Sequence, residues 1–139
     1  MKLTSAQQQK IKKIAQQYRL KLVLLFGSQS EDRVHKESDF DIAYLAEKTL
    51  DFKSEYHLNY EFTNVFQRDK VDTVDLQKVP PLLLYAVFQS PQILFQKNEL
   101  IFPSYQAYAF KKYIEAGPLY EEKYRRLRER LTNKQYDFQ

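Results

Sequence analysis

The sequence predicts an α+β fold, with short apolar strands packed against amphipathic helices and further helices towards the C-terminus. Three observations point there. Leu22-Val23-Leu24-Leu25-Phe26 is an apolar, β-prone run that halts at Gly27, one of two glycines in the 139 residues, and a second run starts at Asp39-Phe40-Asp41-Ile42 after a polar segment. Helical periodicity flanks this pair, with Ile11, Ile14, Ala15 and Tyr18 before it and Leu58, Phe62, Val65 and Phe66 after it. Beyond residue 100 the spacing is helical throughout, which divides the chain into a mixed unit over 1–100 and a helical extension of the same domain over 101–139.

In order along the chain, Thr4-Ser5-Ala6-Gln7 has the pattern of a capping box and opens a helix to about Gln17. The strand, turn and second strand of Leu22 to Leu45 come next. A helix is expected over about 51–67, with Tyr56 and Tyr60 assigned to packing. Val71-Asp72-Thr73-Val74-Asp75-Leu76 reads as a third strand by its β-branched content. Pro80-Pro81 opens a short helix through Val87, because proline is tolerated in the first turn. Gln92-Ile93-Leu94-Phe95 follows as a fourth strand. Pro103-Ser104 then opens a helix expected to break at Gly117-Pro118, and a last helix carries Leu119, Tyr120, Tyr124, Leu127 and Leu131 on one side, leaving a frayed tail from Asn133. The aromatics of this region are assigned mainly to core, with a partner surface as the alternative.

Composition narrows the function. At 43% hydrophobic and 29% charged, the chain is neither disordered nor membranous. Nothing approaches a transmembrane span, and Met1-Lys2-Leu3 leads into polar residues, so a cytoplasmic location is expected. Without cysteine there is no disulfide framework, thiol nucleophile or cysteine-ligated zinc, and two histidines are too few for a histidine cage. Six basic residues precede the first acidic one within a net charge of +4. That excess reads as a solvated helix face, and nucleic acid is not expected as a direct substrate.

The chemistry concentrates at Gly27-Ser28 and Asp39-Phe40-Asp41. In a strand Asp39 and Asp41 share one face while Phe40 and Ile42 take the other, which leads to a core. Two carboxylates held that close repel unless a cation lies between them, and oxygen-only ligation beside phosphate suits Mg²⁺. The Gly27-Ser28 turn lets backbone N–H groups approach a phosphate, with a hydroxyl to help. Either motif alone is an ordinary turn or strand edge. Together they point to nucleotide chemistry. A third carboxylate would come from Asp72 or Asp75, which alternation puts on opposite faces of their strand.

The spacing G-S-x10-D-x-D, with the V-D-x-V-D-L segment at 71–76, resembles the signature of nucleotidyltransferases of the DNA polymerase β superfamily, and the short length resembles its minimal, MNT-domain type. The resemblance implies a polymerase-β-like fold with a mixed sheet. It also implies Asp39, Asp41 and Asp72 as catalytic and metal-binding residues, Asp72 being favoured over Asp75. Gly27, Ser28 and Ser38 become the nucleotide-binding group, with Mg²⁺ as cofactor and ATP as co-substrate. Related loops resemble G-S-x-A-R-G, whereas this chain has Gln29, Ser30, Glu31 and Asp32, with Arg33, His35 and Lys36 nearby. MNT proteins are paired with HEPN-domain RNase toxins. The resemblance therefore implies an antitoxin that transfers AMP to a tyrosine of its toxin, a bulky anion there blocking the RNA groove. A non-catalytic antitoxin acting by steric cover, and a transferase acting on a small molecule, are the alternatives.

Overall fold

The computed structural model describes residues 2–27, 40–68 and 70–137, and of 133–137 the backbone alone. Helix α1 (Ser5–Gln17) starts at the expected capping box: the Gln7 backbone N–H donates to Thr4 Oγ1 at 3.1 Å, and the Thr4 N–H donates to Gln7 Oε1 at 3.0 Å. Strand β1 (Leu20–Phe26) begins two residues earlier than its apolar run suggested, directly after Arg19 at φ 54°. Strand β2 (Phe40–Ala46), helix α2 (Phe52–Phe66) and strand β3 (Val71–Asp75) follow. Helix α3 (Pro81–Val87), strand β4 (Gln92–Gln96) and helix α4 (Ile101–Asp137) are the remaining elements among the described residues.

The sheet is mixed, in the order β3-β2-β1-β4, with β1 antiparallel to both neighbours and β2 parallel to β3. A parallel pair needs a crossover, and α2 supplies it. Helices cover both faces. On one, α1 and α2 pack Ile11, Ile14, Leu58 and Phe62 over Val23, Leu25, Phe40, Ile42 and Tyr44. On the other, α3 and the start of α4 pack Leu84, Val87, Phe88 and Ala109 over Leu22, Leu24, Ala43 and Leu45. Double burial explains why β1 and β2 read as continuous apolar runs rather than alternating ones.

Two expectations are corrected. Gly117-Pro118 does not break the C-terminal region: α4 is one helix of 37 residues with Pro118 inside it. An interior proline costs a helix about 3 kcal/mol, but here long runs of strong helix formers lie on either side. Ion pairs such as Arg125–Glu122 at 2.7 Å and Lys111–Glu115 at 3.8 Å link successive turns. Tyr56 and Tyr60 are not packed. They lie on the outer face of α2, 68% and 60% exposed, because Leu58, Phe62, Val65 and Phe66 already fill the inner one.

Candidate functional site

At the sheet edge where β1 ends and β2 and β3 begin, three residues converge. Phe26 is the cross-strand partner of Asp41, and Asp41 is the register partner of Asp72 on the parallel strand β3. Laterally paired residues point to the same side of a sheet. The buried pair Phe40 and Val71, one position earlier, lies in the α1/α2 core, so Asp41 and Asp72 face the α3/α4 side. Asp41 is half-buried and Asp72 exposed.

Gly27 completes the corner. Its φ is +81°, and a Cβ added there would lie 2.8 Å from Asp41 Oδ2. Only glycine allows both that backbone conformation and that approach. The backbone at this turn and the Asp41 carboxylate therefore occupy one small space.

The starts of β2 and β3 are held from the opposite face. Phe40 is buried against Phe66 with ring centroids 4.6 Å apart, and the Arg68 guanidinium sits 5.2 Å from the Phe40 ring centroid. The Phe40 N–H donates to the Lys70 carbonyl at 3.2 Å, continuing the parallel pairing below its first register position. Asn59 of α2 donates through Nδ2 to the Val71 carbonyl at 2.6 Å and to Thr73 Oγ1 at 3.3 Å. Sequence reasoning missed Asn59. Its signal was an amide next to the inward-facing Leu58, since a polar side chain near a core face needs a partner.

Asp75, the alternative third carboxylate, is elsewhere. It is the register partner of Tyr44, three positions along β3 and on the α1/α2 side. It is buried, its Oδ1 accepts the Gln77 N–H at 2.9 Å, and its Oδ2 has no hydrogen-bond partner. Burial, then the charges of Asp75 and Glu55, push the Tyr44 phenol well above its ordinary value. Asp75 thus closes a turn beside a buried tyrosine and is separated from Asp41 by the sheet.

Of the sequence-derived site residues, Gly27, Asp41 and Asp72 come together. Ser28, Ser38 and Asp39 lie outside the described residues, as does the variant loop Gln29 to Lys36. Among the described residues no cluster of three or more acidic or histidine groups forms a metal site. Nor is any helix there long and apolar enough to cross a membrane.

A curated relative, the protein adenylyltransferase MntA of Shewanella oneidensis, is 39% identical over 69 residues, which span 50% of this chain and 49% of the relative. The chain thus matches about half the length of that relative. Among solved structures it resembles a toxin–antitoxin crystallised with AMP-PNP, at 27% identity and a TM-score of 0.69, over 83% of this chain and 96% of that one. It also resembles a complex of tri-AMPylated Shewanella oneidensis HEPN toxin with MNT antitoxin, at 25% identity and a TM-score of 0.64, over 84% of this chain and 95% of that one. The polymerase beta nucleotidyltransferase family model matches residues 9–100, the four strands of the described residues and the glycine–aspartate corner included. The chain belongs to that family.

Proposed function

We propose that this protein is an antitoxin that transfers AMP from ATP to a tyrosine of a HEPN RNase partner in the cytoplasm and so neutralises it. The observation that carries the reading is the corner itself: Asp41 beside Asp72 in register, with Gly27 against Asp41. The likeness to a protein adenylyltransferase and to a complex holding an AMPylated toxin supports the choice of acceptor. Residues 1–100 form the transferase unit, and 101–139 extend the same domain.

The donor set fits Mg²⁺. Asp41 and Asp72 are hard oxygen ligands placed side by side on one sheet face, and like charges so placed favour a cation between them. Asp39, Asp41 and Asp72 would hold it. When bound, Mg²⁺ supplies positive charge to the phosphate oxygens and lowers the barrier to displacement. Gly27 and Ser28 hold the β- and γ-phosphates through backbone N–H groups and a hydroxyl, and Ser38 orients the chain entering Asp39. The tyrosine oxygen attacks the α-phosphorus, the bond from that phosphorus to the bridging oxygen breaks, and pyrophosphate leaves. The phenolic proton passes to the carboxylate of Asp72, the most exposed of the described acids at the corner.

The test is mass spectrometry of the HEPN partner after incubation with the purified protein, ATP and Mg²⁺. The expected result is a mass gain of one or more adenylyl groups, together with loss of RNase activity. Neutralisation without any mass gain would select steric cover instead. A gain that persists in an Asp41→Asn/Asp72→Asn variant would overturn the assignment of the site.

A further inference from the structure

The face of α4 that packs on its own domain continues past the end of that domain. Tyr113 stacks on Tyr85 of α3 with centroids 3.9 Å apart, and the Tyr120 hydroxyl accepts the Leu82 N–H at 3.3 Å. The same stripe then runs on as Tyr124, Leu127 and Leu131, which are 53%, 50% and 56% exposed. Positions 113, 117, 120, 124, 127 and 131 alternate steps of four and three, the spacing of a helix–helix seam. The first half of that seam is filled by α3. The second half has no element of this chain against it among the described residues.

The charges beside the seam indicate what covers it. Glu122 pairs with Arg125 and Arg126, and Glu129 with Arg125, so these acids are engaged on the far side of the helix. Lys123, Arg128 and Arg130 border the seam together with one acid, Glu121, and none of the ion pairs among the described residues involves any of the four. An apolar seam edged by three unpaired basic groups and one acid is complementary to an apolar helix edged mainly by acidic ones. A second copy would set Lys123 against Arg128 if parallel and against Arg130 if antiparallel, like against like along that edge, with Glu121 opposite Arg128 on the other edge only in the antiparallel case. A membrane surface would favour a broader apolar face than this narrow one, which carries glutamates in the same turns.

We infer that the distal half of α4, through Tyr124, Leu127 and Leu131, is the docking helix for an acidic-edged amphipathic helix of the partner protein. The partner's identity rests on the proposed function: it is the HEPN protein that presents the tyrosine. The seam shares no residue with the transferase corner, so substitutions can address binding and chemistry separately.

The experiment measures the affinity of the full chain for its HEPN partner by calorimetry, and AMP transfer separately by mass spectrometry. Leu127→Lys/Leu131→Lys, with an unchanged far-UV spectrum, should weaken binding at least about 100-fold, which corresponds to about 2.7 kcal/mol. Lys123→Glu/Arg128→Glu/Arg130→Glu should weaken it further at low salt than at high salt. Unchanged affinity in both variants would overturn the inference, even if AMP is still transferred and the proposed function stands. Conversely, a complex that forms and is lost with the variants, but never yields AMP transfer, would support the docking helix while the proposed function fails. A wild-type dimer that the Leu127→Lys/Leu131→Lys change dissociates, or binding to phosphatidylserine vesicles that it abolishes, would also overturn the inference, since either assigns the seam to another occupant.

Discussion

A methyl group on Gly27 would lie 2.8 Å from Asp41 Oδ2, nearer than a real Cβ ever comes to an oxygen. Gly27 directly follows β1 and Asp41 lies in β2, 14 positions on, yet each constrains the other. Gly27 holds a left-handed φ of +81°, and Asp41 fills the space that a side chain there would need.

Gly27→Ala should therefore hit the site more than the fold. The positive φ costs an L-residue about 1–2 kcal/mol, and the clash displaces the Asp41 carboxylate. A misplacement of about 1 Å at a reacting centre can cost about 100-fold in rate. The expected outcome is a loss of AMP transfer on that scale, with the urea midpoint lowered but unfolding still cooperative. Transfer at the wild-type rate would mean that Asp41 does not need its observed position.

The two faces of β3 make Asp72 and Asp75 separable. Asp72→Asn removes a carboxylate next to Asp41 and should lower AMP transfer at least about 100-fold with little change in stability. Asp75→Asn keeps an oxygen for the Gln77 N–H and removes a buried charge whose Oδ2 is unpaired. It should leave the transfer rate close to wild type and the stability equal or higher. The comparison needs only the two rates and two denaturation curves. The reverse ordering would move the third carboxylate to Asp75.

Much of this corner was legible in the sequence because its constraints are local. Alternation places Asp41 opposite Phe40 without any knowledge of neighbours, and a glycine after an apolar run marks a turn wherever it occurs. The choice between Asp72 and Asp75 was not legible, because it depends on the register of a parallel pair. That register is fixed by contacts distant in sequence, among them the Asn59 bond to Val71. Tyr56 and Tyr60 misled for a related reason. An aromatic pair four apart shows that a helix has an aromatic stripe, and only the packed helix shows that Leu58 and Phe62 had already taken the inner side.

Two shielded phenols, the half-buried Tyr18 and the buried Tyr44, set an alkaline limit on stability. The Tyr18 hydroxyl is pushed up to about 12 by burial and by Glu61, and Tyr44 is raised by burial, Asp75 and Glu55. In the unfolded chain both titrate near 10.0. Above that pH the unfolded state sheds protons that the folded state keeps, so the stability these groups contribute is complete below about pH 10 and declines as pH rises towards about 12. Urea midpoints at about pH 8, 10 and 12 should fall more steeply for wild type than for Tyr18→Phe/Tyr44→Phe. Parallel curves would mean that neither phenol is shielded in the folded protein.

The second glycine should answer the same substitution with the opposite sign. A Cβ at Gly117 meets nothing within 4 Å and its φ needs no glycine, so Gly117→Ala only reduces the freedom of the unfolded chain, a gain of about 0.4–1 kcal/mol. Pro118→Ala should gain more, up to about 3 kcal/mol, because it restores an N–H for the Ile114 carbonyl and removes the ring from the preceding turn. Amide hydrogen exchange over residues 118–131 is the readout, since the global transition reports the sheet more than this half of α4. Both variants should slow exchange there, and stiffening the helix should also tighten partner binding by removing part of the ordering cost. Faster exchange in Pro118→Ala would show that the proline holds the helix in a form that alanine cannot keep.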